Sequence, residues 1–248
     1  MKRRGQSLRV SKTARLAAGT VAALLILAVV ALSVASSTTH ARSKAAVVTA
    51  HAPAKAYGVS TAPITMEVFT DYECPTCAAL YEQTLKPLVN DYVATGKVYL
   101  VHHDFPLSMH KYSGQAARWA NAGAEAGQFD AVEGALYGNQ NGWAVDGSID
   151  KYVSQSLSAL NFKKVQMFMK GCEAPGPTAN PTSGGVNAPP HPCALDTYID
   201  QDIALGEHVP VKGTPTWVIS YKGQKYPPAS GLVSWPILKQ FFDSLLSQ

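Results

Sequence analysis

The sequence is poor in cysteine and in charge. Four cysteines in 248 residues are too few for a miniprotein held together by many disulfides. Charged residues make up only 15% of the chain and hydrophobic residues 46%. The chain can therefore bury a full core, and it is neither disordered nor collagen-like. It also lacks an internal repeat, so a repeat architecture is excluded.

Acidic residues are absent from residues 1–45, which contain eight basic residues. The formal charge of +4 for the whole chain therefore becomes −4 for residues 46–248. A nucleic-acid-binding protein would present a basic face. The mild acidity of the remaining chain argues against nucleic acid as a partner.

Residues 17–36 carry no charge and follow six basic residues. A basic segment before an apolar one is typical of an export signal, whose basic end stays in the cytoplasm. Ser33-Val34-Ala35 fits a small-residue cleavage site, which would release the protein. Alternatively, the 20 uncharged residues span the bilayer and remain as a membrane anchor. Both alternatives place residues 46–248 outside the cytoplasm, in the periplasm or cell envelope, where disulfides persist.

The rest of the sequence predicts an α/β domain. Residues 1–36 are interpreted as signal peptide or signal anchor, 37–62 as an Ala/Ser/Thr-rich linker, and 63–248 as the domain. Runs of β-branched and aromatic residues predict strands at 64–69, 97–105 and 216–221. Helices are predicted at 74–95, 113–127, 129–137, 149–160, 162–170, 196–207 and 235–246. The order is β-α-β, a block of helices, and β-β-α, which implies a parallel crossover between the first two strands.

Three local features refine this outline. Pro87 is expected to kink the first helix. Ser148 is a plausible N-cap for the helix that starts at 149. Residues 173–192 contain six prolines and three glycines, so they are expected to form an irregular loop.

The sharpest local signal is Cys74-Pro75-Thr76-Cys77, which follows a predicted strand and opens a predicted helix. At a helix N-terminus the unpaired N–H groups and the helix dipole favour a negative charge, which lowers the pKa of a thiol and populates the nucleophilic thiolate. Pro75 suits the first helical turn because it has no N–H. Cys77 lies one turn later on the same side, where it can resolve a mixed disulfide at Cys74. We therefore predict that Cys74 and Cys77 are catalytic, with Cys74 acidic and exposed and Cys77 shielded.

Two other roles of this motif have to be weighed. Zinc binding would need a second ligand pair, but Cys172 and Cys193 are about twenty residues apart, and neither belongs to a CxxC. A purely structural disulfide between Cys74 and Cys77 would close so short a loop that little entropy is gained. Redox chemistry is the favoured interpretation, and no metal or cofactor is expected.

A second motif, Gly213-Thr214-Pro215-Thr216-Trp217, lies just before a predicted strand. A proline in this position is typical of a turn that leads into an edge strand. Together with FTDYECPTC (69–77) and HDFPL (103–107), the motif resembles recurrent stretches of the DsbA-type thiol–disulfide oxidoreductases of the thioredoxin-like superfamily. The resemblance covers about residues 56–248.

The resemblance implies a thioredoxin-like fold in which the helical block is an insertion at about 107–208. It also implies a cis peptide bond before Pro215 and a position of this proline beside the CxxC. The backbone of Thr214 would then be free to pair with an extended substrate strand. Thr214 and Pro215 are accordingly the expected substrate-binding residues.

Three further residues near these motifs are candidates. Glu67 is a charged residue in an otherwise apolar strand. The resemblance implies a carboxylate beneath the second cysteine that can relay its proton, and the alternative is a carboxylate that points to solvent. Trp217 lines the substrate groove or packs in the core. Glu73, directly before Cys74, would slightly oppose the thiolate.

Cys172 and Cys193 bracket the proline-rich loop. In an oxidising compartment the even number of cysteines suggests that these two pair. We predict a structural disulfide, with an auxiliary redox relay as the alternative. His102, His103 and His110 have no metal-ligand spacing and are interpreted as two strand residues and one loop residue.

These features predict an exported, monomeric enzyme that oxidises reduced or misoxidised secreted proteins. The resemblance implies that a membrane quinone-linked thiol oxidoreductase reoxidises the cysteine pair, without a bound cofactor. The direction of exchange is open, because Thr76 departs from the histidine of the strongest oxidants and Thr214 resembles the isomerase relatives. The dimerisation domain of those relatives has no counterpart in residues 36–62. The alternatives are a monomeric reductase or isomerase and a non-catalytic metallochaperone or holdase.

Overall fold

A computed structural model describes residues 55–172, 176, 178 and 193–248. In this part of the chain the strands are β1 (Ala56–Tyr57), β2 (Ile64–Thr70), β3 (Val98–Asp104), β4 (Thr216–Tyr221), β5 (Gln224–Lys225) and β6 (Ala229–Ser230). The α-helices are α1 (Pro75–Leu80), α2 (Lys86–Leu88), α3 (Ser113–Glu125), α4 (Phe129–Gly138), α5 (Gln140–Asp146), α6 (Ile149–Ser156), α7 (Ala159–Met169), α8 (Asp196–His208) and α9 (Trp235–Leu246). Two π-helical turns, Tyr81–Leu85 and Val89–Val93, extend α1 and α2 into one helical run.

The strands form one mixed sheet in the order β1-β3-β2-β4-β5, with β6 paired to β4. β2 and β3 are parallel along their whole length, starting with Ile64 opposite Val98. Since parallel strands need a crossover connection, the helical run that contains α1 and α2 links them. β4 is antiparallel to β2 and places Thr216 opposite Phe69. The end of β2, which leads into the cysteine motif, therefore meets the start of β4, which follows Pro215.

One hydrophobic cluster lies between the sheet and helices α1, α2 and α9. Three alternate residues of β2 belong to this cluster and are fully buried: Ile64, Met66 and Val68. They pack with Leu80 and Phe242. The alternation follows from the two-residue period of a strand, which sends these three side chains to the same face.

A second hydrophobic cluster joins the helices from α3 to α8 and has the fully buried Trp143 among its members. Cys74 and Cys77 belong to this cluster. The cysteine motif therefore lies where the sheet part of the domain and the helical block pack together.

The predicted outline of β-α-β, a helical block and β-β-α is confirmed, and β4 and α9 have the predicted bounds. The sequence pattern does not predict α5, because Gln140, Asn141 and Gly142 at its start are typical of a loop. Trp143 in the same helix is fully buried. Burial of this ring stabilises α5 only once the rest of the domain has folded around it.

Pro87 is accommodated without breaking the first helical run, because α2 lies between two π-helical turns. Proline has no N–H and crowds the carbonyl four residues earlier, so wider turns relieve the clash. Ser148 is the N-cap of α6 as predicted, but its side chain makes no capping hydrogen bond; its N–H donates to Asp146 Oδ1 at 2.9 Å. α7 begins earlier than predicted because Ser158 Oγ caps it by accepting from Asn161 N at 3.3 Å.

The linker predicted at 37–62 is too long at its C-terminal end. β1 pairs with β3 inside this range, and Lys55 is only 4% exposed. The predicted signal or anchor at 1–36 lies outside the described residues, as does most of the predicted loop at 173–192. Within the described residues, no helix combines the length and the hydrophobicity needed to cross a membrane.

Candidate active site

Cys74 ends the turn after β2 and is the N-cap of α1, with Pro75 at the first helical position. The N–H of Cys74 donates to the carbonyl of Asp71 at 3.1 Å, and the carbonyl of Cys74 accepts from Cys77 N at 3.0 Å. Both thiols of the motif are free. The predicted position of the pair at a helix start is confirmed.

The two thiols differ in acidity in the predicted direction. A hydrogen bond from the Cys77 side chain lowers the pKa of Cys74 to about 5; burial opposes this effect, and the Thr214 side chain and the N–H groups of Cys77 and Thr76 add to it. Burial raises the pKa of Cys77 well above its usual value, and the interaction with Cys74 raises it further. At neutral pH Cys74 is therefore a thiolate and Cys77 a thiol.

Cys74 is less exposed than the sequence predicts, since it is 7% exposed, against 1% for Cys77. Cys74 belongs to the hydrophobic cluster of the helical block, and the loop that contains Thr214 contacts it. Cys74 Sγ lies 3.4 Å from the carbonyl oxygen of Thr214, a residue 140 positions away in the chain. The Thr214 carbonyl therefore lies at the reactive sulfur.

The peptide bond between Thr214 and Pro215 is cis, as predicted, and Pro215 is buried. The carbonyl of Pro215 accepts from Gly231 N at 2.8 Å, which ties the loop to the end of β6. Among the described residues Thr214 has no backbone–backbone hydrogen bond. Its buried hydroxyl also has no conventional hydrogen-bond partner in this part of the chain, and it lowers the pKa of Cys74. Thr214 therefore offers a carbonyl to the Cys74 thiol and a hydroxyl to the thiolate.

His110, which the sequence pattern assigns to a loop without a function, lies beside the motif. Its Nδ1 is 2.7 Å from Asp71 Oδ2. The same buried carboxylate accepts from the N–H groups of Glu73 and Leu107, both at 2.8 Å. The hydrogen bond to Asp71 raises the pKa of His110 against the opposing effect of burial, and the charges of Asp71, Glu73 and Cys74 raise it further. No local motif marks this pair, because the two residues are 39 positions apart.

Glu67 contacts side chains other than the two cysteines. Its carboxylate lies 3.5 Å from His103 Nε2 and 3.5 Å from Lys225 Nζ. The interaction with His103 lowers the pKa of Glu67, although burial opposes it. The side chain is 21% exposed, so it is not freely solvated. Within the described residues Glu67 makes no hydrogen bond or ion pair with either cysteine. Its proton-relay role stays a prediction.

Gln140 is a site residue that the sequence analysis missed. Its Nε2 donates to the carbonyl of Tyr72 at 2.7 Å and to the carbonyl of Cys74 at 3.0 Å. Gln140 is 7% exposed and opens α5, the helix that the sequence pattern does not predict. The helical block therefore holds the backbone of the cysteine motif directly.

The predicted disulfide between Cys172 and Cys193 is present. The carbonyl of Cys172 accepts from Arg118 Nη1 at 3.0 Å, which joins the bridge to α3. A zinc site built from all four cysteines is incompatible with this disulfide. Among the described residues no group of three or more His, Cys, Asp and Glu side chains is arranged to hold a metal ion.

An apolar groove with a volume of about 340 Å³ lies between β4 and α9. Its lining includes Trp217, Ile219, Tyr226, Val233, Ile237 and Phe241. Trp217 also packs against the cluster under the sheet, which confirms the core-packing alternative; its substrate-binding role stays a prediction. Its Nε1 donates to the carbonyl of Gly231, the residue whose N–H holds Pro215. Gly231 therefore links Trp217 in the groove with Pro215 in the loop that contacts Cys74.

Alkylation of the reduced protein should label Cys74 alone over a wide pH range. The rate with iodoacetamide should follow a thiolate that titrates at about 5, far below the ~8.5 of a free thiol. Because the folded-state pKa is depressed, the stabilisation of the reduced protein by the thiolate is complete above the unfolded-state pKa and is lost as pH falls through about 5. Mass spectrometry of the labelled peptides checks the order; equal labelling of both cysteines, with a midpoint near that of a free thiol, would contradict it.

Comparison with known proteins identifies the fold. The family model described as thioredoxin matches residues 51–228. The chain is similar to the solved structure of alpha-DsbA1 from Wolbachia pipientis, with a TM-score of 0.58, 15% identity, and coverage of 78% of this chain and 91% of that chain. It is also similar to BdbD from Bacillus subtilis, with a TM-score of 0.55, 15% identity, and coverage of 79% and 94%. A third similar structure is a thioredoxin-like oxidoreductase from Silicibacter pomeroyi, with a TM-score of 0.53, 22% identity, and coverage of 80% of this chain and 95% of that chain. No curated protein matches the chain. The predicted thioredoxin-like fold is confirmed.

Proposed function

This chain belongs to the thioredoxin family, and we propose that it is an exported protein thiol–disulfide oxidoreductase that introduces disulfides into substrate proteins. One observation carries the proposal: an acidic Cys74 and a shielded Cys77 lie together at the start of α1. This arrangement provides a nucleophile and leaving group at one sulfur and a resolving thiol at the other.

The stabilised thiolate supports the oxidising direction. The interactions that lower the pKa of Cys74 to about 5 act only when the disulfide is open. They stabilise the reduced protein relative to the oxidised one, so the disulfide accepts electrons more readily. The same low pKa makes Cys74 a good leaving group, which speeds release of the oxidised substrate.

The exchange takes two steps. A substrate thiolate attacks Cys74 Sγ of the oxidised pair; a substrate–Cys74 disulfide forms, the Cys74–Cys77 bond breaks, and Cys77 leaves as a thiolate that takes up a proton. A second substrate thiolate then attacks the substrate sulfur of the mixed disulfide, and Cys74 leaves as a thiolate. The substrate gains one disulfide and loses two electrons, which the protein now holds as the reduced pair.

The substrate proteins would be held by the loop and the groove beside Cys74. The backbone of Thr214 makes no other backbone–backbone hydrogen bond among the described residues, so it can pair with an extended segment. The apolar groove between β4 and α9 then accepts apolar side chains of that segment. Reduced or misoxidised secreted proteins expose both kinds of group before they are fully folded.

We place the enzyme outside the cytoplasm, as a monomer. The basic and apolar N-terminal segments and the Cys172–Cys193 disulfide support this compartment. Residues 1–36 either direct export and are cleaved or stay as the membrane anchor. The reduced pair, a Cys74 thiolate and a Cys77 thiol, must lose two electrons and one proton in each cycle, and a membrane quinone-linked thiol oxidoreductase is the proposed acceptor. The proposal needs no bound cofactor.

A monomeric reductase or isomerase is the second candidate. Thr76 in the centre of the motif and Thr214 before the cis proline are the residues that favour it, as the sequence resemblance implies. A non-catalytic metallochaperone or holdase would use the same groove or the same sulfurs without exchanging disulfides.

The direction of exchange is tested with two assays on the wild-type protein. In the first, the oxidised protein is mixed with a reduced peptide that contains two cysteines, and disulfide formation in the peptide is counted. In the second, the protein reduces insulin disulfides with dithiothreitol as the electron source. We expect faster oxidation than reduction, and an equilibrium with glutathione that lies toward the reduced protein. Protein whose Cys74 has been blocked with iodoacetamide is the matched control and should do neither.

The other outcomes separate the alternatives. Faster insulin reduction, together with an equilibrium that lies toward the oxidised protein, would establish the reductase. Binding of the peptide without any change in its thiol count would establish a binding module and refute the enzyme.

A further inference from the structure

His110 places a protonatable ring on Asp71, in the turn that leads into the cysteine pair, and the exchange steps above do not use it. Its loop is fixed on both sides, because the N–H of His110 donates to the Leu107 carbonyl at 3.0 Å and its carbonyl accepts from Ser113 Oγ at 3.2 Å. The ring is held by Asp71 at 2.7 Å. Asp71 in turn accepts, through its backbone carbonyl, from Cys74 N at 3.1 Å. One residue therefore connects the ring of His110 with the backbone of the reactive cysteine.

The charges around His110 favour its protonated form. Asp71, Glu73 and Cys74 are the titratable groups that act on it from the turn before α1, and each raises the pKa of His110. Lys111, its neighbour on the same loop, lies over the ring of Tyr112 at 4.7 Å. The Asp71 side chain is fully buried, and a buried carboxylate needs a positively charged or hydrogen-bonding partner.

One of these charges depends on the redox state. When Cys74 and Cys77 form a disulfide, the Cys74 thiolate disappears, whereas Asp71 and Glu73 remain. Reduction restores the negative charge of the Cys74 thiolate, which raises the proton affinity of the His110 ring. Linkage is reciprocal, so a protonated His110 must stabilise the thiolate by the same free energy.

We propose that His110 is a redox-linked proton site: its imidazolium stabilises the Cys74 thiolate of the reduced enzyme, and formation of the disulfide weakens its hold on the proton. The proposal deepens the proposed function and rests on it. In the exchange, His110 acts when Cys74 leaves the mixed disulfide, because the imidazolium stabilises the negative charge that develops on Cys74. His110 influences Cys74 through charge and forms no bond with the substrate.

The proton count follows from this role. Reduction of the pair takes two electrons from two substrate thiols, breaks the Cys74–Cys77 bond, and leaves a thiolate at Cys74 and a thiol at Cys77, which takes one proton. Where the solution pH lies between the His110 pKa values of the two redox states, the ring takes up a second proton. The two substrate thiols lose their protons as they become a disulfide.

The first test uses the wild-type protein in two chemically prepared states, oxidised and reduced. NMR titration of the His110 ring should give a higher pKa in the reduced state, by roughly tenfold in proton affinity. The reduction potential measured against glutathione at several pH values should then change by about 30 mV per pH unit for one proton, and by about 60 mV where His110 also takes one up. Linkage requires the steeper region, the pH range in which the potential changes by about 60 mV per unit, to lie between the two measured pKa values of His110.

Variants separate a charge effect from a structural one. His110→Gln should shift the equilibrium with glutathione toward the oxidised protein about tenfold near pH 6.5, and the shift should vanish at high pH, where the wild-type ring is neutral. His110→Lys keeps the charge and should retain the wild-type equilibrium near pH 6.5, without the steeper region. His208→Gln is the matched control, because His208 is exposed and bonds to the Ala204 carbonyl; it should behave like the wild type.

An equal His110 pKa in the oxidised and reduced protein would overturn the proposal, even if His110→Gln did not fold. So would a His110→Gln offset of the same size at every pH, which a purely structural role would produce. Failure of the proposed function would look different, as a wild-type protein that exchanges no disulfide with any peptide. The NMR comparison would still decide the role of His110 in that case.

Discussion

Cys74→Ser is expected to lose disulfide exchange by at least about 10³-fold, because the variant lacks the nucleophile and leaving group. Cys77→Ser is expected to stay covalently bound to substrates instead. Its Cys74 thiolate can attack a substrate disulfide, but no second thiol is present to resolve the product. Non-reducing gels of each variant after incubation with a protein disulfide show the trapped species, and turnover assays show the loss.

The choice of serine at position 77 is part of this test. A hydrogen bond from the Cys77 side chain is the largest effect that lowers the pKa of Cys74. Serine keeps a donor at this position and alanine does not, so Cys77→Ser should trap substrates faster than Cys77→Ala near pH 6. Equal trapping rates at that pH would contradict the assigned hydrogen bond.

The Cys172–Cys193 bridge supplies the control for the same experiment. The double variant Cys172→Ser and Cys193→Ser, assayed at a temperature where it is folded, should keep its turnover while melting at a lower temperature. Loss of turnover in the folded double variant would instead support the redox-relay alternative for this bridge.

The largest loss of stability is expected from Arg118→Met. Arg118 and Asp196 form a buried two-point ion pair, with Nε to Oδ1 at 2.7 Å and Nη2 to Oδ2 at 2.6 Å. Both side chains are at most 2% exposed. Removing the guanidinium leaves the Asp196 carboxylate buried without this partner, which costs about 3–5 kcal/mol. Urea unfolding followed by circular dichroism measures the change.

Two further variants make this prediction specific. Arg118→Met combined with Asp196→Leu should recover much of the loss, because it removes both charges from the interior. Lys86→Met breaks an exposed pair with Glu82 one helical turn away, and it should change the unfolding free energy by less than about 1 kcal/mol. A loss of the same size in Lys86→Met and Arg118→Met would show that burial does not set the contribution of the pair.

The sheet and the reactive cysteines could be predicted because their signals are local. The alternation in β2 sends Ile64, Met66 and Val68 to one face wherever the strand lies. A cysteine before a helix with proline at its first position is at the N-terminus of that helix in any fold. These features depend on the spacing of neighbouring residues, which the sequence displays directly.

The partners of the charged residues could not be predicted in the same way. Glu67 meets His103 and Lys225, where the sequence resemblance implied a position beneath Cys77. Lys55, in the predicted linker, is buried against Asp104 and Asp202. Each of these contacts joins segments that lie far apart in the chain, and their approach depends on how the helical block packs on the sheet.

By itself, then, the sequence determined the order β-α-β, helical block and β-β-α and the positions of Cys74 and Cys77 at a helix start, and the resemblance added the cis proline before β4. These depend on periodicity, on the geometry of helix ends and on recognisable motifs. Only the tertiary structure decided that Gln140 holds the motif backbone and that His110 binds Asp71 in the turn before Cys74. The physical reason is that a side chain acquires its charge environment from whatever packs against it, and here those neighbours come from segments between 39 and 68 residues away.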